Sequence, residues 1–264
     1  MFNKYRSFAI KNLILIFLSL PLYANSNQVY DNSLNESVFE RIRIYFNKTL
    51  THINHFKIIE YEKFLSEVDT NTKIFVHFHG CGGIGIDDFN IRNEYSKHDA
   101  AVIFIDFLSR PGVTSGCPGG FHSKVWYTTD NKRIDTRRKE AEVLVKDLYA
   151  KGYKNIYISG HSEGGRTATT WVLPVKGVIV HGQDCSIPGF WNIQRNQKTI
   201  VLLSKNDAWL TQHRNMIGCR HFFNRDWVTE IMTDDASHAP FGNDIHINEF
   251  RKWLLETPTQ AKTE

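Results

Sequence analysis

The chain predicts an α/β protein built on a mainly parallel sheet with helices on both faces. Three observations lead there: six short apolar runs rich in β-branched residues, helical patterns between several of them, and one run that passes directly into Gly160-His161-Ser162-Glu163-Gly164. Alternation of strand and helix is the signature of a parallel sheet covered on both sides. The strands are read at Lys73 to His79, Ala100 to Phe107, Asn155 to Ser159, Gly177 to His181, Thr199 to Ser204 and Val228 to Thr233.

The amino terminus reads as a targeting segment. Lys4, Arg6 and Lys11 precede an apolar run from Leu13 to Leu22, and Leu22-Tyr23-Ala24 is an acceptable cleavage site. The run is far shorter than the ~20 residues that span a bilayer, so a cleaved signal peptide over 1–24 is expected. A single domain over 25–264 then remains, 240 residues, ample for a buried core. Periplasmic or secreted localisation follows, with no stable membrane span after cleavage. The three cations leave with the signal, so the formal charge falls from +4 to +1. No basic patch with interleaved aromatics remains, which argues against nucleic acid as a partner.

Residues 25–71 are harder to read. Val38, Ile42 and Tyr45 suggest a helix, and Phe56 to Val68 suggests a strand followed by a helix. Ala141, Leu144, Val145 and Leu148 follow the i, i+3, i+4, i+7 rule and predict a helix packed on the sheet. Arg137, Arg138, Lys139 and Glu140 just before them read as a solvated helix start. A helix is also expected over Arg166 to Val172, and Ile247, Phe250 and Leu254 form a last stripe. Loops 108–133 and 182–197 follow strand carboxyl ends, where sheets of this class bind ligands. Phe121, Trp126, Tyr127, Phe190 and Trp191 are candidate walls, or core packing.

Cys81, Cys117, Cys185 and Cys219 all fall after the signal. An even count in an exported chain suggests two disulfides, and placement after adjacent strands favours 81–117 and 185–219. There is no C-x-x-C motif, and His77 and His79 lack a third ligand, so they read as core histidines. No metal and no cofactor are expected.

Gly160 to Gly164 has the G-x-S-x-G form of a nucleophile elbow, a sharp turn that holds a serine hydroxyl exposed between strand and helix. Serine needs a base, and the base needs an orienting acid. Asp207 ends the run Thr199 to Asp207 just beyond a strand, and His238 lies in the loop after the last strand. Asp184 is the rival acid; Asp234 and Asp235 lie too near the base. His213, His221 and His246 read as surface or packing residues. The oxyanion hole would take one N–H from Glu163, after the nucleophile, and one from Cys81 in the loop His79-Gly80-Cys81-Gly82-Gly83.

These motifs, with Asn206-Asp207-Ala208-Trp209 and Ser237-His238-Ala239-Pro240-Phe241, resemble the dienelactone hydrolase-like group of α/β-hydrolases over about Lys73 to Leu255. The resemblance implies an α/β-hydrolase fold and supports Asp207 as the acid. Dienelactone hydrolases proper use a cysteine nucleophile, so Ser162 points instead to a general serine carboxylester hydrolase acting on a small-molecule or polymer ester. The loops are also similar to those of secreted feruloyl esterases and polyhydroxyalkanoate depolymerases. Two other readings fit the same motifs: an exported peptidase, and a non-catalytic binding module of this fold.

Overall fold

The six expected strands form, and a seventh joins them. The computed structural model describes residues 42–45, 58–108, 124–183, 197–211 and 227–257, all within one compact unit spanning 33–264. In chain order the strands are β1 (Ile42–Tyr45), β2 (Lys73–Phe78), β3 (Ala100–Ile105), β4 (Ile156–His161), β5 (Gly177–His181), β6 (Thr199–Ser204) and β7 (Val228–Thr233). The helices are α1 (Ile58–Glu67), α2 (Ile86–Ser96), α3 (Lys124–Ala150), α4 (Glu163–Thr169), α5 (Ala208–Thr211) and α6 (Asp244–Glu256), with a 3₁₀ turn at Pro240–Gly242.

The sheet order is β1-β3-β2-β4-β5-β6-β7. From β3 to β7 every pairing is parallel; β1 is antiparallel to β3, with Ile42 opposite Ile105 and Tyr45 opposite Val102. This corrects the helix expected around Ile42 and Tyr45. Their three-residue spacing suits a helix turn, but β3 would otherwise present an open edge, and pairing covers its unpaired backbone groups. Val38 lies outside the described residues, as do Phe56 and Lys57. The helix expected before Val68 forms as α1.

Burial on both faces explains why the strands read as continuous apolar runs. Successive side chains alternate, so β2 to β6 each feed two cores. One holds Ile74, Val76 and Phe78 of β2, Ile103 of β3 and Ile156 and Ile158 of β4, packed under Tyr61, Phe64 and Leu65 of α1 and Ala141, Leu144, Val145 and Leu148 of α3. The other holds Phe75, Val102, Phe104, Tyr157, Ile179 and Leu202 beneath Ile91 and Tyr95 of α2 and Phe250, Trp253 and Leu254 of α6. Each large side chain so buried contributes about 1.5–3 kcal/mol relative to exposure. The predicted stripe of α3 is therefore correct.

Two expectations about α3 are corrected. The helix starts at Lys124, inside the stretch read as the loop 108–133. Arg137 and Glu140 are not solvated: they are 2% and 4% exposed. The reason is periodicity, since Arg137 lies four residues before Ala141 and extends the same stripe. Likewise the helix after the elbow begins at Glu163, not Arg166, because the chain turns immediately after Ser162.

Chain order and sheet order diverge between β2 and β4. From β2 the chain moves outward to β3, then returns to place β4 on the other side of β2. Connections therefore leave in opposite directions and open a crevice at the carboxyl ends of this pair. The glycine loop after β2 and the elbow after β4 both rise there. Among the described residues no helix is long and apolar enough to cross a membrane. The expected signal segment 1–24, Cys117, Cys185 and Cys219 lie outside the described residues, and with them both expected disulfide pairings. Cys81, the remaining cysteine, is not free.

Candidate active site

Ser162 has φ 54° and ψ −121°, one of two non-glycine residues with positive φ among the described residues. Such backbone is costly and persists only where its surroundings over-determine it. Here the Ser162 N–H donates to the His181 carbonyl at 2.8 Å, and the Arg166 N–H donates to the Ser162 carbonyl at 3.1 Å. The flanking glycines are sterically required. A Cβ on Gly160 would lie 2.0 Å from the Gly164 carbonyl oxygen, and one on Gly164 would lie 1.9 Å from that of Phe78. Strand and helix approach so closely that only hydrogen fits at either position.

Asp207 follows β6 and His238 follows β7, and the two side chains meet. His238 Nδ1 lies 2.6 Å from Asp207 Oδ2. The Asp207 side chain is fully buried, while His238 is 20% exposed. The second carboxylate oxygen accepts the Trp209 N–H at 2.9 Å. A carboxylate at Nδ1 directs the remaining imidazole nitrogen, Nε2, away from it and leaves Nε2 to accept a proton. Asp184 lies outside the described residues.

The loop carrying His238 is fastened on two sides. Asp235 accepts the Ser237 N–H at 2.9 Å and the Thr233 hydroxyl at 3.0 Å, and it also pairs with the Asn243 amide. Burial alone would raise the Asp235 carboxyl, but the hydrogen bonds converging on it prevail and hold it at about 2. Asp235 is thus bound into its own loop, and the carboxylate that meets His238 Nδ1 is that of Asp207. On the other side His161, the residue before the nucleophile, places Nε2 3.1 Å from the His238 carbonyl oxygen, with the two rings 5.0 Å apart. Burial, helped by the neighbouring His238, lowers His161 to about 4, so it is neutral and donates there.

The glycine loop lies against the nucleophile: a Cβ at Gly80 would be 3.5 Å from Ser162 Cβ. Cys81 follows Gly80 as Glu163 follows Ser162, so both expected oxyanion donors belong to backbone that flanks the serine. The Glu163 side chain was not anticipated as a participant. Its two oxygens are taken by Arg133 and Arg137 of α3, and Arg137 also donates to the His79 carbonyl. Sequence reading missed this group, and the only available signal was the place of Arg137 on the apolar stripe.

His77 and His79 are buried, as expected of core residues. His77 bonds Ser159 and Asp88. Among the described residues no group of three or more metal-ligating side chains converges. Of the candidate walls, Phe121, Phe190 and Trp191 lie outside the described residues, and nothing is described of the Trp126 and Tyr127 side chains. Trp209, within the Asp-Ala-Trp motif, was not among the candidate walls but stands next to His238. Its half-exposed ring sits 5.7 Å from that of His238. His246, by contrast, is fully buried and bonds the Leu203 carbonyl at 3.0 Å, a packing residue; His213 and His221 lie outside the described residues.

No protein-family model and no curated protein sequence matches the chain. Solved structures do. A phospholipase/carboxylesterase from Dyadobacter fermentans is similar at 13% identity and a TM-score of 0.55, over 84% of this chain and 99% of that one. Esterase PE8 is similar at 14% identity and a TM-score of 0.51, over 71% of this chain and 93% of its own. With six parallel strands, an antiparallel edge, helices on both faces and a serine elbow at the switch point, the chain has the α/β-hydrolase fold.

Proposed function

We propose that the protein is an exported serine hydrolase that cleaves carboxylic esters through an acyl-enzyme intermediate. The observation that carries this reading is the 2.6 Å contact between buried Asp207 and His238, in a molecule that also presents Ser162 on a strained elbow. His238 Nε2 takes the Ser162 proton as Oγ bonds to the ester carbonyl carbon, and the carbonyl electron pair moves onto oxygen. The Cys81 and Glu163 N–H groups stabilise that oxyanion. Collapse breaks the bond to the alkoxy oxygen, which leaves as alcohol with the proton from His238. Water, deprotonated by His238, then releases the acid and restores Ser162. Asp207 keeps His238 in the tautomer these transfers require.

The printed descriptions of the two similar structures, a phospholipase/carboxylesterase and an esterase, agree with ester chemistry. Export rests on the amino-terminal segment and the even cysteine count. Non-reducing peptide mapping of exported protein is expected to find the pairs 81–117 and 185–219. The chemistry is tested with a fluorophosphonate probe and a short p-nitrophenyl ester. Folded wild-type protein is expected to be labelled at Ser162, and Ser162→Ala to lower kcat by about 10⁴ or more. An unlabelled wild type, or a fully active Ser162→Ala, sinks the reading.

A further inference from the structure

Behind the nucleophile lies a buried group of side chains that the ester mechanism does not use. Arg137 is 2% exposed in the middle of α3, with its guanidinium carbon 4.5 Å from the centre of the Phe107 ring. One terminal nitrogen donates to Glu163 Oε1 and the other to the His79 carbonyl, while Arg133 takes Glu163 Oε2. A single planar fork therefore spans two segments far apart in sequence: the residue after Ser162 and the loop after β2. These are the two segments whose N–H groups must stand at a fixed separation to hold an oxyanion.

His79 continues the connection. The Phe107 N–H donates to His79 Nε2 at 3.1 Å, so Nε2 is an acceptor and the ring proton sits on Nδ1. Nδ1 then donates to the Gly80 carbonyl at 2.6 Å. Burial, reinforced by the Arg137 charge, lowers His79 to about 3, which keeps this tautomer neutral. A peptide unit is planar and trans, so fixing the Gly80 carbonyl also fixes the Cys81 N–H, which points the opposite way. Two successive carbonyls, of His79 and Gly80, are thus held from behind.

We infer that Arg137, acting with His79 and Glu163, is a positioning residue that sets the geometry of the oxyanion hole by locking the loop at 79–81 to the start of α4. The inference rests on the ester-hydrolase reading above. It separates from a purely structural ion pair in kinetics. Loss of one oxyanion donor costs about 10²–10³ in kcat, and a misplaced donor costs less.

The test uses the full chain, with Arg137→Lys, which keeps charge but loses the fork, and Glu163→Gln, which keeps the backbone N–H and the side-chain shape. Each is expected to lower kcat for a p-nitrophenyl ester by about 10–10²-fold with KM within about 3-fold. Affinity for an arylboronic acid, which forms a tetrahedral adduct on serine, is expected to fall by the same factor. The double variant is expected to be no worse than the weaker single one, because both break one unit. If both variants keep kcat and boronate affinity within 2-fold and lose only thermal stability, the network is structural and the inference is wrong. It fails equally if neither variant folds. An inactive wild type, or a fully active Ser162→Ala, instead defeats the underlying ester-hydrolase reading and is recognised by that control.

Discussion

Two aspartate–histidine pairs lie near serines of one strand and its turn, and they differ in almost everything except residue type. In the first, Asp88 Oδ1 is 3.0 Å from His77 Nε2, and His77 Nδ1 is 2.9 Å from the Ser159 hydroxyl. In the second, Asp207 meets His238 at 2.6 Å near Ser162, three residues further along. The first group is fully enclosed: His77 and Ser159 are 0% exposed and Asp88 2%. Its serine sits inside β4 and also bonds the Tyr95 hydroxyl at 2.5 Å, which in turn meets His181 at 2.9 Å. Every hydroxyl there already has a partner. Ser162 instead stands where the backbone leaves strand geometry, and His238 of the second pair reaches solvent. An Asp, a His and a Ser at hydrogen-bond distance form a satisfied core network when buried. A reactive site also needs a broken strand and an open side.

The comparison can be tested hardest through the two acids. Asp207→Asn is expected to lower kcat by about 10⁴, because the amide stabilises the wrong imidazole tautomer. Asp88→Asn is expected to leave kcat within about 3-fold while lowering the urea midpoint. Equal kinetic losses would end the distinction. Next in size is the elbow itself. Gly164→Ala places a methyl against the Phe78 backbone, which cannot rotate away, and is expected to cost about 3 kcal/mol or more in urea unfolding.

Acid sharpens the contrast between core and site. His161 and His79 are lowered to about 4 and about 3, chiefly by burial, and burial also lowers His181. The unfolded chain takes up these protons near pH 6.5, and the folded one does not. Their stabilisation is therefore complete above about 6.5 and declines as pH falls toward the folded values, by about 1.4 kcal/mol per pH unit for each group. Denaturant midpoints between pH 7 and 4.5 are expected to fall in that direction; a flat profile would contradict neutral burial. The smallest effect is expected from Ser159→Ala, which leaves His77 Nδ1 without its partner and the Tyr95 hydroxyl with His181 alone. About 1–3 kcal/mol of stability should be lost with ester turnover unchanged.

How much of this was legible depended on whether a residue's task shows in its spacing. Strands buried on both faces announce themselves as unbroken apolar runs, so β2 to β6 could be read from the sequence with small errors at their ends, and the more exposed β7 through its β-branched residues. β1 could not, because Ile42 and Tyr45 fit a helix turn equally well and only the bare edge of β3 decides between the two. Asp207 and His238 were singled out through their order along the chain and their places after β6 and β7, and the structure brings their side chains together. Arg137 was misread because a charge beside Arg138 and Lys139 looks solvated until one sees that it lies, with Glu140, on the buried side of the helix. His161 occupies the variable position of its motif, and nothing local marks it as a neighbour of His238.

The sheet order carries a consequence for the life of the chain. The glycine loop follows β2, Ser162 follows β4, Asp207 follows β6, and His238 lies in the segment after β7. Synthesis delivers them in that sequence, so a nascent chain can assemble the elbow and its oxyanion neighbours long before it owns a base. On the proposed chemistry, Ser162 stays unactivated through synthesis and early folding. It acquires reactivity only once the segment after β7, which carries His238, has been added. On that chemistry the strand topology acts as a timer that ties the first turnover to the arrival of the segment after β7.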